Sequence, residues 1–190
     1  NAVKGITGLG LKGFNVTVPH KVSVVDFMSK LSEEASVTGS VNTVVNELGK
    51  LIGYNTDVYG IVESLQSYKS QISSNEVSII GAGGAARSVI YALIRNFKPK
   101  KIHLINRTPE HSETIKQHFK SKMRFDSIAT KDLQQPDLLN VMNGCSLVVN
   151  CTPVGMFPES DDSILNNPEL FVKNQIVFDL VYNPVKTRFL

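Results

Sequence analysis

The sequence predicts an α/β protein with a doubly wound parallel sheet and a second, smaller α/β domain. Val77–Ile80 is an apolar run that enters the glycine-rich stretch Gly81–Arg87, and apolar residues then recur at helical spacing to Phe97. Two later runs, 146–151 and 175–182, read as the buried strands typical of parallel sheets. The polar, Ser-rich segment 69–75 is the best candidate for a linker between two domains. We therefore predict one domain over residues 1–68 and a second over 69–190.

Composition narrows the class of protein. The 190 residues are 42% hydrophobic with a net charge of +3, which is ordinary for a globular protein. No apolar run approaches the ~20 residues of a membrane helix, and no secretory signal is visible. Cys145 and Cys151 flank an apolar run and form no C-x-x-C motif, which favours reduced thiols in a cytoplasmic protein. The histidines are scattered, so we expect no metal site. Because no long apolar run is present, we also expect no membrane partner.

Positive charge is concentrated in residues 95–131, which hold ten Lys and Arg against three acids. Such a patch can bind nucleic acid, but it shows no regular interleaving of basic and aromatic residues and no nucleic-acid motif. A basic face beside a phosphate-rich cofactor explains it better, and we expect no nucleic-acid partner.

The chain opens with the end of a helix and a turn over residues 1–12, followed by a strand over 13–18. Asn15 and Thr17 share one face of this strand, because side chains alternate along it. Pro19 ends the strand, and Lys21 stands at the start of a predicted helix over 22–30. Polar residues at the carboxyl edge of a strand suggest a site, although a lone lysine at a helix start is as often solvated.

Residues 32–36 are a polar break or a short helix, and two apolar runs around Gly49 then predict a β-hairpin. The hairpin should bring Asn42, near its start, close to Asp57, at its end. Helical spacing resumes at Val58, so Thr56 or Asp57 could instead serve as the N-cap of that helix.

The glycine-rich stretch carries G-x-G-x-x-A at Gly81, Gly83 and Ala86, between a strand and a helix. The first glycine permits a sharp turn, the second leaves room for a pyrophosphate, and the small third residue lets the helix pack closely. The helix N-terminus adds unpaired N–H groups and a positive dipole end. We therefore predict a Rossmann-like dinucleotide site, with an ordinary glycine-rich turn as the alternative.

The second strand, 101–106, ends in Asn106, Arg107 and Thr108, where an NAD-preferring fold normally places an acid on the ribose. An arginine can instead bind a 2′-phosphate through two N–H groups, which favours NADP(H). The alternative is a surface arginine that opens the next helix, 109–120.

The remaining elements are a weak strand over 123–128, a helix over 133–142 and the strand 146–151, which ends in the loop Thr152–Met156. Residues 164–173 are expected to cover that loop. The last strand, 175–182, brings Tyr182 and Asn183 to the same rim, and 185–190 should begin a helix.

Seven blocks of this sequence together resemble the shikimate dehydrogenase family and its quinate/shikimate relatives. They occur in the order and at the spacing of the family over nearly the whole chain, which makes the signal strong. The blocks are Gly13–Lys21, Val41–Thr43, Gly53–Asp57, Gly81–Arg87, Asn106–Thr108, Asn150–Met156 and Asp179–Pro184.

The resemblance implies reversible reduction of 3-dehydroshikimate to shikimate with NADPH, in a cleft between two domains. Lys21 matches the catalytic lysine of the family, and Asp57 matches the carboxylate that holds the lysine and a substrate hydroxyl. The substrate-binding candidates are Thr17, Asn42, Tyr182 and Asn15. The candidates for binding NADP(H) are Gly81, Ala82, Gly83, Gly84, Ala85, Asn106, Arg107, Thr108, Thr152 and Leu180.

Several departures from the family stand out. In the family, further segments that flank the substrate pocket come before the position of Asn1 and after that of Leu190. The given sequence lacks both, so both domains are expected to be incomplete. The sequence also starts without Met. Val58 stands where a glycine is usual. His111 replaces a second arginine, which predicts weaker or pH-sensitive binding of the 2′-phosphate. An NAD-dependent quinate enzyme and a non-catalytic relative are the alternatives, and a homodimer is compatible with the resemblance.

Overall fold

The computed structural model describes residues 2–6, 8–134, 136–165 and 171–190, which form two sheets. The strands are β1 (Gly13–Asn15), β2 (Lys30–Leu31), β3 (Thr43–Glu47), β4 (Lys50–Tyr54), β5 (Glu76–Ile80), β6 (Lys101–Asn106), β7 (Ile128–Asp132), β8 (Leu147–Asn150) and β9 (Ile176–Asp179). The helices are α1 (Ala2–Ile6), α2 (Glu33–Thr38), α3 (Asp57–Leu65), α4 (Lys69–Ile72), α5 (Gly84–Ala92), α6 (Pro109–Met123) and α7 (Leu138–Asn143).

The smaller sheet has the strand order β1-β3-β4-β2 and contains the predicted hairpin. Leu48 and Gly49 join β3 to β4 with φ values of 52° and 87°, and two positive φ values suit the twist of a two-residue hairpin. Of the two interpretations of residues 32–36, the helix is correct: the hydroxyl of Ser32 accepts the N–H of Ala35, and α2 follows.

The larger sheet is all parallel, with the order β7-β6-β5-β8-β9. The central strands β5, β6 and β8 are almost fully buried, as predicted from their apolar runs. Helices α3, α5 and α6 contribute to the core on one face of this sheet, and α7 contributes on the other. The strand order reverses at β5, because β6 and β7 lie on one side of it and β8 and β9 on the other. In open α/β sheets, ligands bind in the crevice at the carboxyl ends of the strands at such a point.

Helix α3 connects the two sheets and belongs to the core of the larger one. Its apolar face buries Val58, Ile61 and Leu65 there, so Val58 does not obstruct the start of the helix. A 3-10 turn at Gln66–Tyr68 and α4 continue the helical path, and Ile72 is fully buried. The expected Ser-rich linker is therefore helical over its first four residues, while the domain division at 68 stays a prediction.

Two predicted elements of the first 130 residues are wrong. Residues 22–30 form only a 3-10 turn at Val25–Phe27, because the backbone beyond it pairs with β4: Ser29 N donates to Leu51 O and Ser32 N donates to Gly53 O. The weak strand expected over 123–128 is also misplaced. Helix α6 runs on to Met123, and β7 starts at Ile128, which pairs with Ile102 of β6.

Near the C-terminus, the expected helix over 185–190 is wrong. The hydroxyl of Thr187 donates to Asp179 Oδ2 at 2.6 Å, and Phe189 is buried, so side-chain contacts hold this segment in turns. Four other predicted elements exist but are shorter, namely the strands over 13–18, 146–151 and 175–182 and the helix over 133–142. The predicted cover over 164–173 lies partly outside the described residues, because 166–170 are not among them.

Within the described ranges, none of the helices is both long and apolar enough to cross a membrane. The same part of the chain contains no group of three His, Cys, Asp or Glu side chains placed to hold a metal ion.

A hydrogen-bonded side-chain pair links β5 to β6 at the end of the sheet away from the crevice. His103 Nε2 lies 2.7 Å from Glu76 Oε2, with the histidine side chain 7% exposed and the glutamate 33% exposed. The hydrogen bond from His103 lowers the pKa of Glu76 below its usual value, so folding favours the carboxylate.

Glu76→Gln should therefore reduce the free energy of unfolding at pH 7 by about 1 kcal/mol, allowing for the partial exposure of the pair. The wild-type carboxylate stabilises the fold above its unfolded-state pKa, and this contribution is lost as the pH falls through the lower folded-state value. The difference between variant and wild type should thus disappear in acid. Urea unfolding across pH measures it, with Glu63→Gln on the exposed face of α3 as the control. A difference that persists in acid would contradict the role of the charge.

Candidate active site

A cleft of about 490 Å³ lies between the two sheets at the carboxyl ends of the larger one. One wall comes from the segment after β1 and includes Lys21. The opposite wall comes from the glycine loop after β5, the Asn106–Arg107 turn and the loop after β8. The lining residues are Val18, Pro19, Lys21, Val22, Ile80, Gly81, Ala82, Gly83, Gly84, Ala85, Asn106, Arg107, His111, Leu133, Cys151, Thr152, Pro153, Val154 and Ile164.

Lys21, Asp57 and Asn42 form one hydrogen-bonded group beside this cleft. Lys21 Nζ donates to Asp57 Oδ2 at 2.7 Å, and Asn42 Nδ2 donates to Asp57 Oδ1 at 2.7 Å. The lysine and aspartate side chains are only 16% and 25% exposed, so the ion pair is partly shielded from water. An ammonium has three donors and each carboxylate oxygen has two acceptor sites, so Lys21 and Asp57 both keep hydrogen-bonding capacity for a ligand. The predicted approach of Asn42 to Asp57 is confirmed.

The backbone around this group explains its geometry. Asn42 Oδ1 accepts the backbone N–H of Thr56 at 2.9 Å, which fixes the start of α3 against the residue before β3. Val41 N donates to Lys21 O at 2.8 Å, which ties the lysine segment to the same place. Thr56 is the N-cap of α3 but makes no capping bond with its side chain. Asp57 is the first residue of the helix, where the dipole favours its charge, and its side chain holds the lysine.

The glycine loop has the features expected of a pyrophosphate site. Gly81 has φ +105°, and a Cβ there would lie 3.0 Å from Thr152 Cγ2 and 3.2 Å from the carbonyl carbon of Cys151. Gly83 faces open space, with nothing within 4 Å of a Cβ, so a ligand could approach its backbone. Ala86 is fully buried, which confirms the expected close packing of α5. The residues present therefore fit a dinucleotide phosphate at the N-terminus of α5.

Arg107 is exposed and lines the cleft next to Asn106. Asn106 Nδ2 donates to Thr108 O at 2.8 Å, which braces the turn that presents the guanidinium. No acidic side chain of the described residues forms an ion pair with Arg107. His111, in the first turn of α6, lines the same part of the cleft. The guanidinium is thus available to an anionic ligand rather than to its own helix.

The two remaining cofactor candidates differ in position. Thr152 lines the cleft, and its N–H and hydroxyl both donate to Asn150 Oδ1, at 3.0 and 2.7 Å. Leu180 is half-buried against the core of the larger sheet and lies outside the cleft wall. Its backbone N–H donates to Asn150 O at 3.1 Å, so it is tied to the end of the same strand.

Three substrate candidates are not brought to the cleft wall. Asn15 and Thr17 are exposed on and just after β1, and Tyr182 is 85% exposed beyond β9. None of them is among the described residues that line the cleft or bond the Lys21 group. Their contacts with a substrate stay predictions.

Sequence reasoning missed several lining residues. Val18, Pro19 and Val22 line the cleft beside Lys21, and Pro153 and Val154 follow Thr152. The sequence could have indicated them, because they lie next to Lys21 and Thr152, which were already candidates. Leu133 carried no such signal, because tertiary folding alone brings it there. Ile164 belongs to the segment that was expected to cover the loop after β8, and it lines the cleft.

Cys151 also lines the cleft, and this raises the question of a reactive thiol. Burial and the nearby Asp179 raise the pKa of this thiol, so it stays protonated and is a poor nucleophile. Cys145 is buried as well, and burial raises the pKa of its thiol. Both cysteines are unpaired. Neither cysteine is therefore a candidate nucleophile.

Gly81→Ala should destabilise the fold by about 1–3 kcal/mol, because a side chain would be forced into a backbone conformation that it rarely adopts and against the loop after β8. Gly83→Ala is the matched control, since its φ is −98° and its surroundings are open. Chemical denaturation of both variants measures the contrast. Equal losses would contradict the geometry assigned to Gly81.

Comparison with known proteins assigns a family to this architecture. A family model described as the shikimate dehydrogenase substrate binding domain matches residues 1–44. A second, described as shikimate / quinate 5-dehydrogenase, matches residues 63–152. The shikimate dehydrogenase (NADP(+)) of Caldanaerobacter subterraneus is 40% identical over 192 residues, which covers 100% of this chain and 66% of that relative. The chain thus spans just under two thirds of the length of this relative.

Solved structures give the same result. Shikimate 5-dehydrogenase from Thermus thermophilus, in complex with NADP(H) and shikimate, aligns with a TM-score of 0.77 at 32% identity, over 100% of this chain and 65% of that one. Quinate dehydrogenase from Corynebacterium glutamicum, in complex with NAD, aligns with a TM-score of 0.84 at 27% identity, over 100% and 66%. The two matched models, the relatives and the shared architecture show that the chain belongs to the shikimate/quinate dehydrogenase family.

Proposed function

We propose that this protein catalyses the reversible reduction of 3-dehydroshikimate to shikimate with NADPH. One observation carries the proposal: the 2.7 Å ion pair of Lys21 and Asp57 stands beside the cleft that the glycine loop also lines. A proton-transferring group and a dinucleotide loop on opposite walls of one cleft suit the reduction of a ketone. The family relatives named shikimate dehydrogenase (NADP(+)) support this reaction over others.

The cofactor would be held by the loop from Gly81 to Ala85 and by the turn at Asn106–Thr108. The N–H groups at the start of α5 would bind the pyrophosphate, and Arg107 would bind the 2′-phosphate. NADPH, when bound, supplies the hydride that reduces the ketone carbon, and NADP⁺ accepts it in reverse. Thr152, on the loop after β8, would form the far side of this site.

Lys21 would transfer the proton. Its Nζ would donate to the ketone oxygen during reduction and recover the proton from the hydroxyl during oxidation. Asp57 would hold Nζ in place and accept a substrate hydroxyl, and Asn42 would keep the carboxylate in its orientation. Placing these groups before the substrate arrives reduces the entropy lost in reaching the transition state.

The substrate would occupy the polar end of the cleft near Lys21. A polyhydroxylated ring acid needs several hydrogen-bonding side chains, and Asn42, Thr17, Asn15 and Tyr182 are the proposed ones. Thr17 and Asn15 precede Lys21 on the same segment of chain. Tyr182 follows β9 and would approach from the side of the larger sheet.

Cofactor preference separates the shikimate reaction from the alternative NAD-dependent quinate reaction. Arg107 favours NADP(H), because its guanidinium has no acidic partner among the described residues that would repel a 2′-phosphate. The relatives from Caldanaerobacter, Pelodictyon and Bacillus are likewise named as NADP(+) enzymes. An absorbance assay of shikimate and quinate with NADP⁺ and NAD⁺ tests the assignment directly. A cytoplasmic location and a homodimer stay predictions.

Lys21→Ala should lower kcat for shikimate oxidation by about 10²–10⁴-fold, the usual contribution of general acid–base catalysis, while NADP⁺ still binds. Nicotinamide absorbance measures turnover in the full-length protein, and calorimetry measures cofactor binding. Lys69→Ala, an exposed lysine on α4, serves as the control. Turnover of the Lys21 variant at the wild-type rate would refute the catalytic assignment.

Arg107→Ala should weaken NADP⁺ binding by about 10- to 100-fold, because a charge-assisted hydrogen bond contributes ~1.5–3 kcal/mol. NAD⁺ lacks the 2′-phosphate, so its affinity should change little and provides the internal control. Titration calorimetry with each nucleotide makes the comparison. An equal loss for both nucleotides would show that Arg107 does not bind the 2′-phosphate.

A further inference from the structure

A buried polar cluster lies outside the cleft, where α2, β4 and α5 meet. Its members are Thr38, Ser40, Asn55 and Ser88, and each is at most 2% exposed. None of them lines the cleft. Polar groups as buried as these are costly unless they are hydrogen-bonded, so their mutual bonds are expected to be specific.

Asn55 is the centre of this cluster. Its Nδ2 lies 2.9 Å from Ser88 Oγ, 3.0 Å from Ser40 O and 3.2 Å from Thr38 Oγ1. A backbone carbonyl only accepts hydrogen bonds, so the atom of Asn55 that faces Ser40 O must be the amide nitrogen. The position therefore requires a donor, and an aspartate of nearly the same shape would set an oxygen against the carbonyl.

The cluster joins the segments that carry the site. Asn55 stands two residues before Asp57, and Ser40 stands two residues before Asn42. Ser88 lies one turn into α5, where its hydroxyl is 3.3 Å from the carbonyl of Gly84. Asn55, Ser40 and Ser88 are thus each close, in sequence or in space, to a residue of the cleft or of the Lys21 group.

The first turn of α5 also touches the lysine segment directly. A Cβ at Gly84 would lie 2.9 Å from Ser40 Oγ and 3.0 Å from Lys21 Cβ, closer than side chains normally approach. The glycine therefore allows the cofactor helix to pack against Lys21 with no side chain between them. Any shift of α5 relative to residues 38–42 would alter this contact.

Two side chains from helices α5 and α6 hold the end of α2 in the same place. Arg87 Nη1 donates to Thr38 O at 3.1 Å, and His118 Nε2 lies 2.6 Å from Val37 O. These carbonyls belong to the last turn of α2, whose acceptors have no partner within the helix. The bonds fix residues 37–40 against α5 and α6.

We propose that Asn55 and Ser88 are positioning residues that hold the Lys21–Asp57–Asn42 group at a fixed distance from the start of α5. They act through backbone segments and touch neither substrate nor cofactor. The inference rests on the proposed function, because the distance matters only if hydride and proton transfer occur at one carbonyl group. In this proposal, the buried side-chain amide of Asn55 couples the glycine loop to the Lys21–Asp57 pair.

Ser88→Ala and Ser112→Ala form a matched test in the full-length protein. Both serines are fully buried, but the hydroxyl of Ser112 has no partner among the described residues. Ser88→Ala should lower kcat for shikimate oxidation by about 10- to 100-fold, the cost of a small misplacement of reacting groups, with a much smaller change in KM. Asn55→Asp should lose at least as much, and Ser112→Ala should retain the wild-type kcat.

The assays are run well below the unfolding temperature of every variant, so that loss of folded protein cannot lower kcat. If Ser88→Ala has the same kcat as Ser112→Ala, the positioning role is overturned. Asn55→Asp with wild-type kcat would do the same, because the donor would then be dispensable.

Hydrogen exchange supplies a readout that does not require turnover. NADP⁺ should slow amide exchange over residues 40–42 and 55–58 in the wild type and in Ser112→Ala, but not in Ser88→Ala. Equal protection in all three proteins would overturn the coupling. If the wild type binds NADP⁺ but does not oxidise shikimate, the proposed function fails, and the exchange result still decides whether the cluster transmits binding to the Lys21 group.

Discussion

The close packing of α5 against the segment that carries Lys21 is the constraint on which the rest of the site depends. In the proposed reaction, Lys21 and the nicotinamide of the bound cofactor must meet at one carbonyl group. The glycine loop that would hold the cofactor follows β5 of the larger sheet, whereas Lys21 follows β1 of the smaller one. Gly84 removes the side chain that would separate them, and Ser40 and Lys21 occupy the space it leaves. The smaller sheet and the segments around it therefore pack closely against α5, whose N-terminus forms part of the proposed nucleotide site.

This seating explains why polar groups are buried at the junction. An apolar contact between α2 and α5 would tolerate sliding, because hydrophobic burial is not directional. Hydrogen bonds from Asn55 to Ser40 O and Ser88 Oγ hold only at one relative position. These bonds offset the cost of burying the Asn55, Ser88 and Thr38 side chains, whereas the Ser40 hydroxyl has no partner among the described residues. The bonds favour a single arrangement of the two walls.

The sequence predicted the parallel sheet, the hairpin and the glycine loop, because each has a local pattern of apolar residues, turns or glycines. It also predicted that Asn42 would meet Asp57, since a hairpin brings its ends together. It did not predict β2, the position of β7 or the C-terminal turns, where pairing with an open strand edge or a contact such as Thr187 with Asp179 decides the structure. Asn55 was missed for a similar reason: at the end of a strand, an asparagine looks the same whether it faces water or three buried acceptors.

The geometry divides the labour between the members of the ion pair. Lys21 lines the cleft and has spare donors, whereas Asp57 lies behind it with one oxygen on Lys21 and the other on Asn42. In the proposed reaction, this arrangement gives proton transfer to Lys21 and orientation of its Nζ to Asp57. Because Asn42 is held in turn by the backbone of Thr56, the orientation of the lysine depends on the fold of the hairpin and not on the bound substrate.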